Sequence, residues 1–168
     1  SLLVQLKMLA DGRTDFYFQL AKRPVESFSE KERAFIIDNS FSVNVNTMVR
    51  PFARYRELWE KRRKENWQPG HEVQHNYTDA EIMDLIVCFQ LAWTGWDARE
   101  TYPEIAALYE RGWDFTEADK DLLLDISLRV AAGVPARYRA LAREGVIELT
   151  TSPYSHPILP LLVDTETA

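Results

Sequence analysis

The chain has 168 residues, enough for one domain with a buried hydrophobic core. Hydrophobic residues make up 46% of it and charged residues 27%, as in ordinary soluble globular proteins. Its net charge of −6 argues against a nucleic-acid partner held through phosphates, and no apolar run approaches the ~18 residues that a membrane span requires.

Helical patterns fill most of the chain. A hydroxyl residue precedes a glutamate by three positions at two predicted helix starts, Ser29 with Glu32 and Thr78 with Glu81, and each pair predicts a capping box. Pro69-Gly70 indicates a loop over 67–77, and the segment 133–135 is expected to break or kink a helix. The predicted helices are 1–12, 14–23, 29–41, 51–65, 78–94, 103–112, 116–132 and 136–144.

The pattern changes from helix to strand only after Gly145. Residues 146–151 are rich in β-branched side chains, and the X-Pro steps that follow disfavour helix. Glu148 lies inside this run, while Tyr154 and His156 follow the end of the predicted strand, where α/β proteins bind ligands. Because one strand cannot satisfy its own edge hydrogen bonds, we infer that partner strands lie outside these residues.

This stretch resembles the second conserved region of family 57 glycoside hydrolases, the group of amylases, amylopullulanases and glucanotransferases. That region consists of a glycine, an Ile/Val-Glu-Val/Leu-Thr-Thr strand, Ser/Thr-Pro-Tyr and, one residue later, His-Pro-Ile-Leu-Pro-Leu-Leu. Residues 145–162 fit it position by position, with Ser155 where Tyr or Ala is common. Looser similarity to the family extends over 1–6, over the FQLAW run at 89–93 and over FTEADK at 115–120.

The resemblance implies a fold. Family members have an incomplete (β/α)7 barrel, with a long helical insert between the second and third strands. The expected fold class is therefore mainly α: a multi-helix insert over 1–145, followed by one β-strand and a cleft loop over 146–168. The family's catalytic Glu and Asp lie in later regions and its His-Gln-Pro in an earlier one. We therefore expect no catalytic residue in this chain and no turnover by the segment alone.

The resemblance also implies a function. The parent protein is expected to be a retaining glycoside hydrolase or transglycosylase acting on α-glucans such as starch, glycogen or maltodextrin. Glu148, His156 and Tyr154 are the expected substrate-binding residues, because an imidazole or a phenol can hydrogen-bond to sugar hydroxyls. The expected partners are an α-glucan or oligosaccharide and the rest of the barrel, and no cofactor is expected. A non-catalytic helical interaction module is the alternative.

A third possibility comes from residues 71–75, which match the zinc-binding motif HExxH. That chemistry requires both histidines on one face of an established helix, and a third ligand beyond it. Here His71 and His75 lie in the predicted loop between Pro69-Gly70 and the cap at Thr78. We therefore predict that they do not bind zinc, and a zinc metallohydrolase is the least favoured of the three alternatives.

Several other side chains have an expected environment. The single cysteine, Cys88, lies in an apolar helical pattern and is expected in the core. One cysteine and no visible signal peptide suit a reducing compartment, so a cytoplasmic location is expected. Trp93 and Trp96 flank a predicted helix end, where exposed aromatic rings can form a platform for a sugar. Trp93 is nevertheless expected to pack in the core, and Trp96, after a glycine, to be exposed. The basic cluster 61–64 is expected to be a solvated helix end.

Overall fold

The computed structural model describes residues 2–150, and this part of the chain is mainly α-helical. Short 3₁₀ turns lie at Val25–Ser27 and Gln74–Asn76, and a π-helical turn lies at Val45–Val49. The α-helices are α1 Leu2–Ala10, α2 Phe16–Ala21, α3 Glu30–Asn39, α4 Ala53–Lys64, α5 Gly70–Val73, α6 Asp79–Trp93, α7 Trp96–Thr101, α8 Pro103–Arg111 and α9 Glu117–Arg143. No helix among them is long and apolar enough to cross a membrane.

The mainly α class is confirmed, but the predicted strand is not found in its described part. Residues 146–150 have no regular secondary structure, and most of their side chains are exposed. β-branched residues favour a strand only where a neighbouring strand supplies hydrogen bonds and packing. Residues 2–150 contain no strand that could act as this neighbour.

The described chain forms two compact units. One contains residues 14–127, and the other contains the described residues 2–13 and 128–150. In the first unit α6 is the central helix, since its side chains are buried on nearly all sides: Ile82, Met83, Asp84, Leu85, Ile86, Val87, Cys88 and Leu91. Cys88 is in the core as predicted, and burial raises the pKa of its thiol, so the side chain acts as a small apolar residue.

Both predicted capping boxes are confirmed. The Ser29 hydroxyl accepts a hydrogen bond from the backbone N–H of Glu32, whose carboxylate accepts one from the backbone N–H of Ser29 at 2.8 Å. Hydrogen bonds from Ser29 and Arg23 lower the pKa of Glu32 to about 2. Thr78 and Glu81 form the same pair at the start of α6. These caps satisfy backbone donors that the helix itself leaves without partners.

The basic end of α4 is less solvated than the sequence suggests. Arg62 is only 3% exposed, and its Nη2 lies 2.8 Å from Oδ1 of Asp38 on α3. Lys61 donates to Glu81 on α6 at 2.7 Å. The prediction of a solvated helix end is therefore wrong for these two residues, because carboxylates on neighbouring helices reach them.

Two other departures from the predicted helices involve glycine. The expected loop 67–77 contains the short helix α5, which packs against α3 through Gly70. A Cβ built on Gly70 would lie 2.3 Å from the carbonyl oxygen of Ala34. Of the break or kink expected at 133–135, the break is wrong, since α9 is continuous through Gly133 and Pro135. Alanines on both sides favour helix, although glycine and proline are each unfavourable inside one.

These two glycines give opposite predictions for substitution by alanine. Gly70→Ala is expected to lower the free energy of unfolding by about 2 kcal/mol, because the added methyl group overlaps backbone atoms of α3. Gly133→Ala is expected to raise it by about 0.5–1 kcal/mol, because its Cβ would meet no atom within 4 Å and alanine favours helix. Urea denaturation followed by circular dichroism measures both. Equal effects of the two changes would contradict this account.

Candidate functional site

The segment that carries Glu148 begins where α9 ends. Gly145 adopts a left-handed φ of 72°, and its N–H donates to the carbonyl of Ala142 at 3.2 Å. The N–H of Val146 donates to the carbonyl of Leu141 at 3.0 Å. This pair of bonds is a Schellman motif, which uses glycine because a Cβ disfavours the left-handed conformation. The sequence signal for the helix end is thus confirmed.

Beyond this motif the predicted site residues are only partly within the described chain. Glu148 is exposed, between the half-buried Ile147 and the exposed Leu149. Tyr154 and His156 lie outside the described residues. The role of these three side chains in substrate binding therefore stays a prediction.

The HExxH residues do not form the helical zinc arrangement. α5 ends at Val73 and a 3₁₀ turn begins at Gln74, so no single helix carries both histidines. The side chains of His71 and His75 are exposed. Among residues 2–150, no group of three or more His, Cys, Asp or Glu side chains is arranged to hold a metal ion.

A groove with a volume of about 1070 Å³ lies in the unit of residues 14–127. It is bounded by the start of α4, by α7 and by the end of α8 with the residues that follow. We call it the aromatic groove and define it by Arg54, Glu57, Trp96, Arg99, Tyr109 and Trp113. It combines flat aromatic side chains with charged groups, as ligand sites do.

The tryptophans of this region are unusually exposed. Trp96 is 75% exposed and Trp113 is 62% exposed, and both line the groove. Trp96 is exposed as predicted. Trp93 was expected in the core but is 61% exposed, because it is the last residue of α6 and extends past the core, whose last buried member on this helix is Leu91.

One wall of the groove is held by a buried carboxylate. Asp84 is 2% exposed and accepts from Nε of Arg54 at 2.8 Å and from the backbone N–H of Phe115 at 3.0 Å. Arg54 also donates to Glu57 at 2.9 Å. Burial alone would lower the pKa of Arg54, but its bonds to Glu57 and Asp84 raise it, so the guanidinium remains charged.

A second arginine fixes the aromatic side of the groove. The Arg99 guanidinium lies 3.6 Å from the ring centroid of Tyr109 and 4.9 Å from that of Trp96. Its Nη2 donates to the Tyr109 hydroxyl at 2.6 Å, and that hydroxyl donates to the carbonyl of Leu91. The buried Nε of Arg99 has no hydrogen-bond partner among the described protein atoms. These contacts orient the rings of Tyr109 and Trp96.

Sequence reasoning found Trp96 but missed the groove. Its walls come from helix ends that are far apart in the sequence, which no local pattern reveals. One local signal was present, since Trp96 and Trp113 each directly follow a glycine at a helix boundary, Gly95 and Gly112.

Comparison with known proteins gives one match. The family model described as "Glycosyl hydrolase family 57" matches residues 5–168, which is nearly the whole chain. No curated protein and no solved structure matches the chain.

Proposed function

This chain belongs to glycosyl hydrolase family 57, and on that premise we propose that it forms part of a retaining enzyme that hydrolyses or transfers α-glucans. The match over residues 5–168 is the observation that carries the proposal. Starch, glycogen and maltodextrin are the proposed substrates, and the cytoplasm is the proposed location. The fit of residues 145–162 to the family's second conserved region supports this choice within the family.

The proposed architecture places residues 1–145 as a helical insert and residues 146–151 as a strand of an incomplete (β/α)7 barrel. Support comes from the unit that contains α1 and the end of α9, where large apolar side chains are exposed. Leu2 and Leu3 are 69% and 62% exposed, and Val146 and Leu149 are 65% and 55% exposed. Neighbouring barrel strands would cover such side chains and supply the hydrogen bonds that a strand at 146–151 requires.

In this arrangement the chain binds substrate rather than attacks it. Glu148 is proposed to accept hydrogen bonds from sugar hydroxyls, with Tyr154 and His156 beside it in the cleft. The nucleophile and the acid/base are proposed to lie outside these residues, about 5–5.5 Å apart as retention requires. The segment alone is therefore expected to have no turnover.

The test is a substrate panel with the full-length protein. We expect reducing ends to be released from starch, glycogen or maltodextrin and not from cellulose or mannan, and the first product seen by ¹H NMR to be the α anomer. A β anomer at early times would contradict the retaining mechanism. Release from a β-glucan alone would contradict the substrate class. Turnover by the isolated segment would contradict the proposal that the nucleophile and the acid/base lie outside these residues.

A further inference from the structure

We propose that the aromatic groove binds a neutral oligosaccharide through residues other than Glu148. The groove belongs entirely to the unit of residues 14–127, whereas Glu148 belongs to the other unit. This inference depends on the function proposed above in one respect only, the identification of the sugar as an α-linked glucan. That the groove takes sugars at all is argued below from its own residues.

The first argument is the exposure of its two tryptophans. A tryptophan side chain offers roughly 150–250 Å² of surface, and leaving most of it in water gives up the stabilisation that burial would provide. Trp96 and Trp113 both leave most of their side-chain surface exposed to water, and both line the same groove. An indole face is flat and apolar and matches the flat C–H face of a pyranose ring. Two such faces in one groove suit a ligand with more than one ring.

The second argument is that the groove is preorganised. The Arg99 guanidinium lies over both Trp96 and Tyr109, and the Tyr109 hydroxyl is bonded to Arg99 and to the backbone of α6. The ring of Trp96 is therefore fixed by a cation–π contact before any ligand arrives. Binding to fixed side chains loses less conformational entropy than binding to mobile ones. A merely solvated tryptophan would need no such support.

The third argument is the charge balance, which selects the class of ligand. The groove holds three arginines, but Arg54 is paired with Glu57 and Asp84, and Arg111 is paired with Asp119 at 2.5 Å. A phosphate site needs arginines that are free to make bidentate bonds. Here most of the positive charge is already compensated, which favours a neutral ligand rich in hydroxyls.

Hydrogen-bonding groups for such a ligand are present. The carboxylates of Glu57 and Glu110 line the groove as acceptors. Hydroxyl groups both donate and accept, so a sugar can donate to both. The volume of about 1070 Å³ lies just above the usual range for ligand pockets, roughly 300–1,000 Å³. It therefore accommodates several sugar units rather than one.

The experiment measures binding to the 168-residue chain by isothermal titration calorimetry. The probes are maltoheptaose, which is α-linked, and cellohexaose, which is β-linked. We expect saturable binding of maltoheptaose, weakened about tenfold or more by Trp96→Ala and by Trp113→Ala. Trp93→Ala is the matched control, because Trp93 is equally exposed but does not line the groove. Circular dichroism verifies that each variant is folded.

The outcomes separate this proposal from the proposed function. Saturable binding that falls in Trp96→Ala and Trp113→Ala, but not in Trp93→Ala, supports the groove. Cellohexaose binding without maltoheptaose binding also supports the groove, but contradicts the α-glucan assignment. If neither probe binds saturably, the proposal of a sugar site in the groove is overturned, while the family assignment is unaffected. Equal losses in all three tryptophan variants, or full affinity in the folded Trp96→Ala, Trp113→Ala double variant, also overturn it.

Discussion

Replacing Glu148 by alanine in the full-length enzyme is expected to lower kcat/KM for an α-glucan by about tenfold to a thousandfold. Hydrogen bonds between a charged group and a sugar hydroxyl contribute roughly 1.5–3 kcal/mol each, and the change removes one or two of them. If 146–151 forms a barrel strand whose Ile147 and Leu149 pack against the outer helices, Glu148 points to the opposite face and so into the cleft. Because Glu148 is not the proposed nucleophile, some activity should remain.

Steady-state kinetics on a soluble maltodextrin measure this effect. Glu144→Ala is the matched control, because Glu144 is also exposed and lies within the Schellman motif that ends α9, before the predicted strand. It should leave kcat/KM unchanged. Mass spectrometry should find no covalent glycosyl adduct on Glu148. Wild-type kinetics in Glu148→Ala, with an unchanged melting temperature, would mean that the residue does not contact substrate.

Asp84→Ala is expected to lower the free energy of unfolding by about 3 kcal/mol. Removing one partner of a buried ion pair leaves the other uncompensated, which costs about 3–5 kcal/mol. The lower end of this range of costs is expected here, because Arg54 keeps its bond to Glu57 and its side chain is 20% exposed. The change also leaves the backbone N–H of Phe115 without its acceptor.

Glu57→Ala is the matched control, since Glu57 bonds to the same guanidinium from a side chain that is 66% exposed. Exposed ion pairs contribute only about 0–1 kcal/mol. The free energy of unfolding of Glu57→Ala, measured by urea denaturation, should therefore be close to that of the wild-type protein. Similar losses in both variants would show that the attraction to Arg54, and not the burial of Asp84, determines the effect. A loss below about 1 kcal/mol in Asp84→Ala would contradict the uncompensated charge.

The features that could be predicted from the sequence are those determined by residues close together in the chain. The pair Ser29 and Glu32 lies within one helical turn, so its capping box requires nothing from the rest of the chain. The strand at 146–151 depends on neighbours that residues 2–150 do not provide. Trp93 fits the apolar spacing of α6, but that spacing does not reveal where along the helix the core ends.

The groove and the buried charges could not be predicted for the same reason. Arg62 belongs to a basic run that indicates solvent, and only the position of α3 brings Asp38 within 2.8 Å of it. Arg54 and Trp113 meet in one groove through helices that are about 60 residues apart in the sequence. The similarity to the family implies a function for residues 145–162, because a motif exists there, but it does not indicate the aromatic groove.

The two bonds of Asp84 have a consequence for substitutions in this protein. One oxygen holds Arg54, which lines the groove, and the other holds the backbone of Phe115, two residues after Trp113. The same carboxylate therefore anchors the core and positions both margins of the surface above it. A mutation at this position would therefore alter stability and the shape of the groove together. The exposed rings of Trp96 and Trp113, in contrast, can be replaced while the core remains intact.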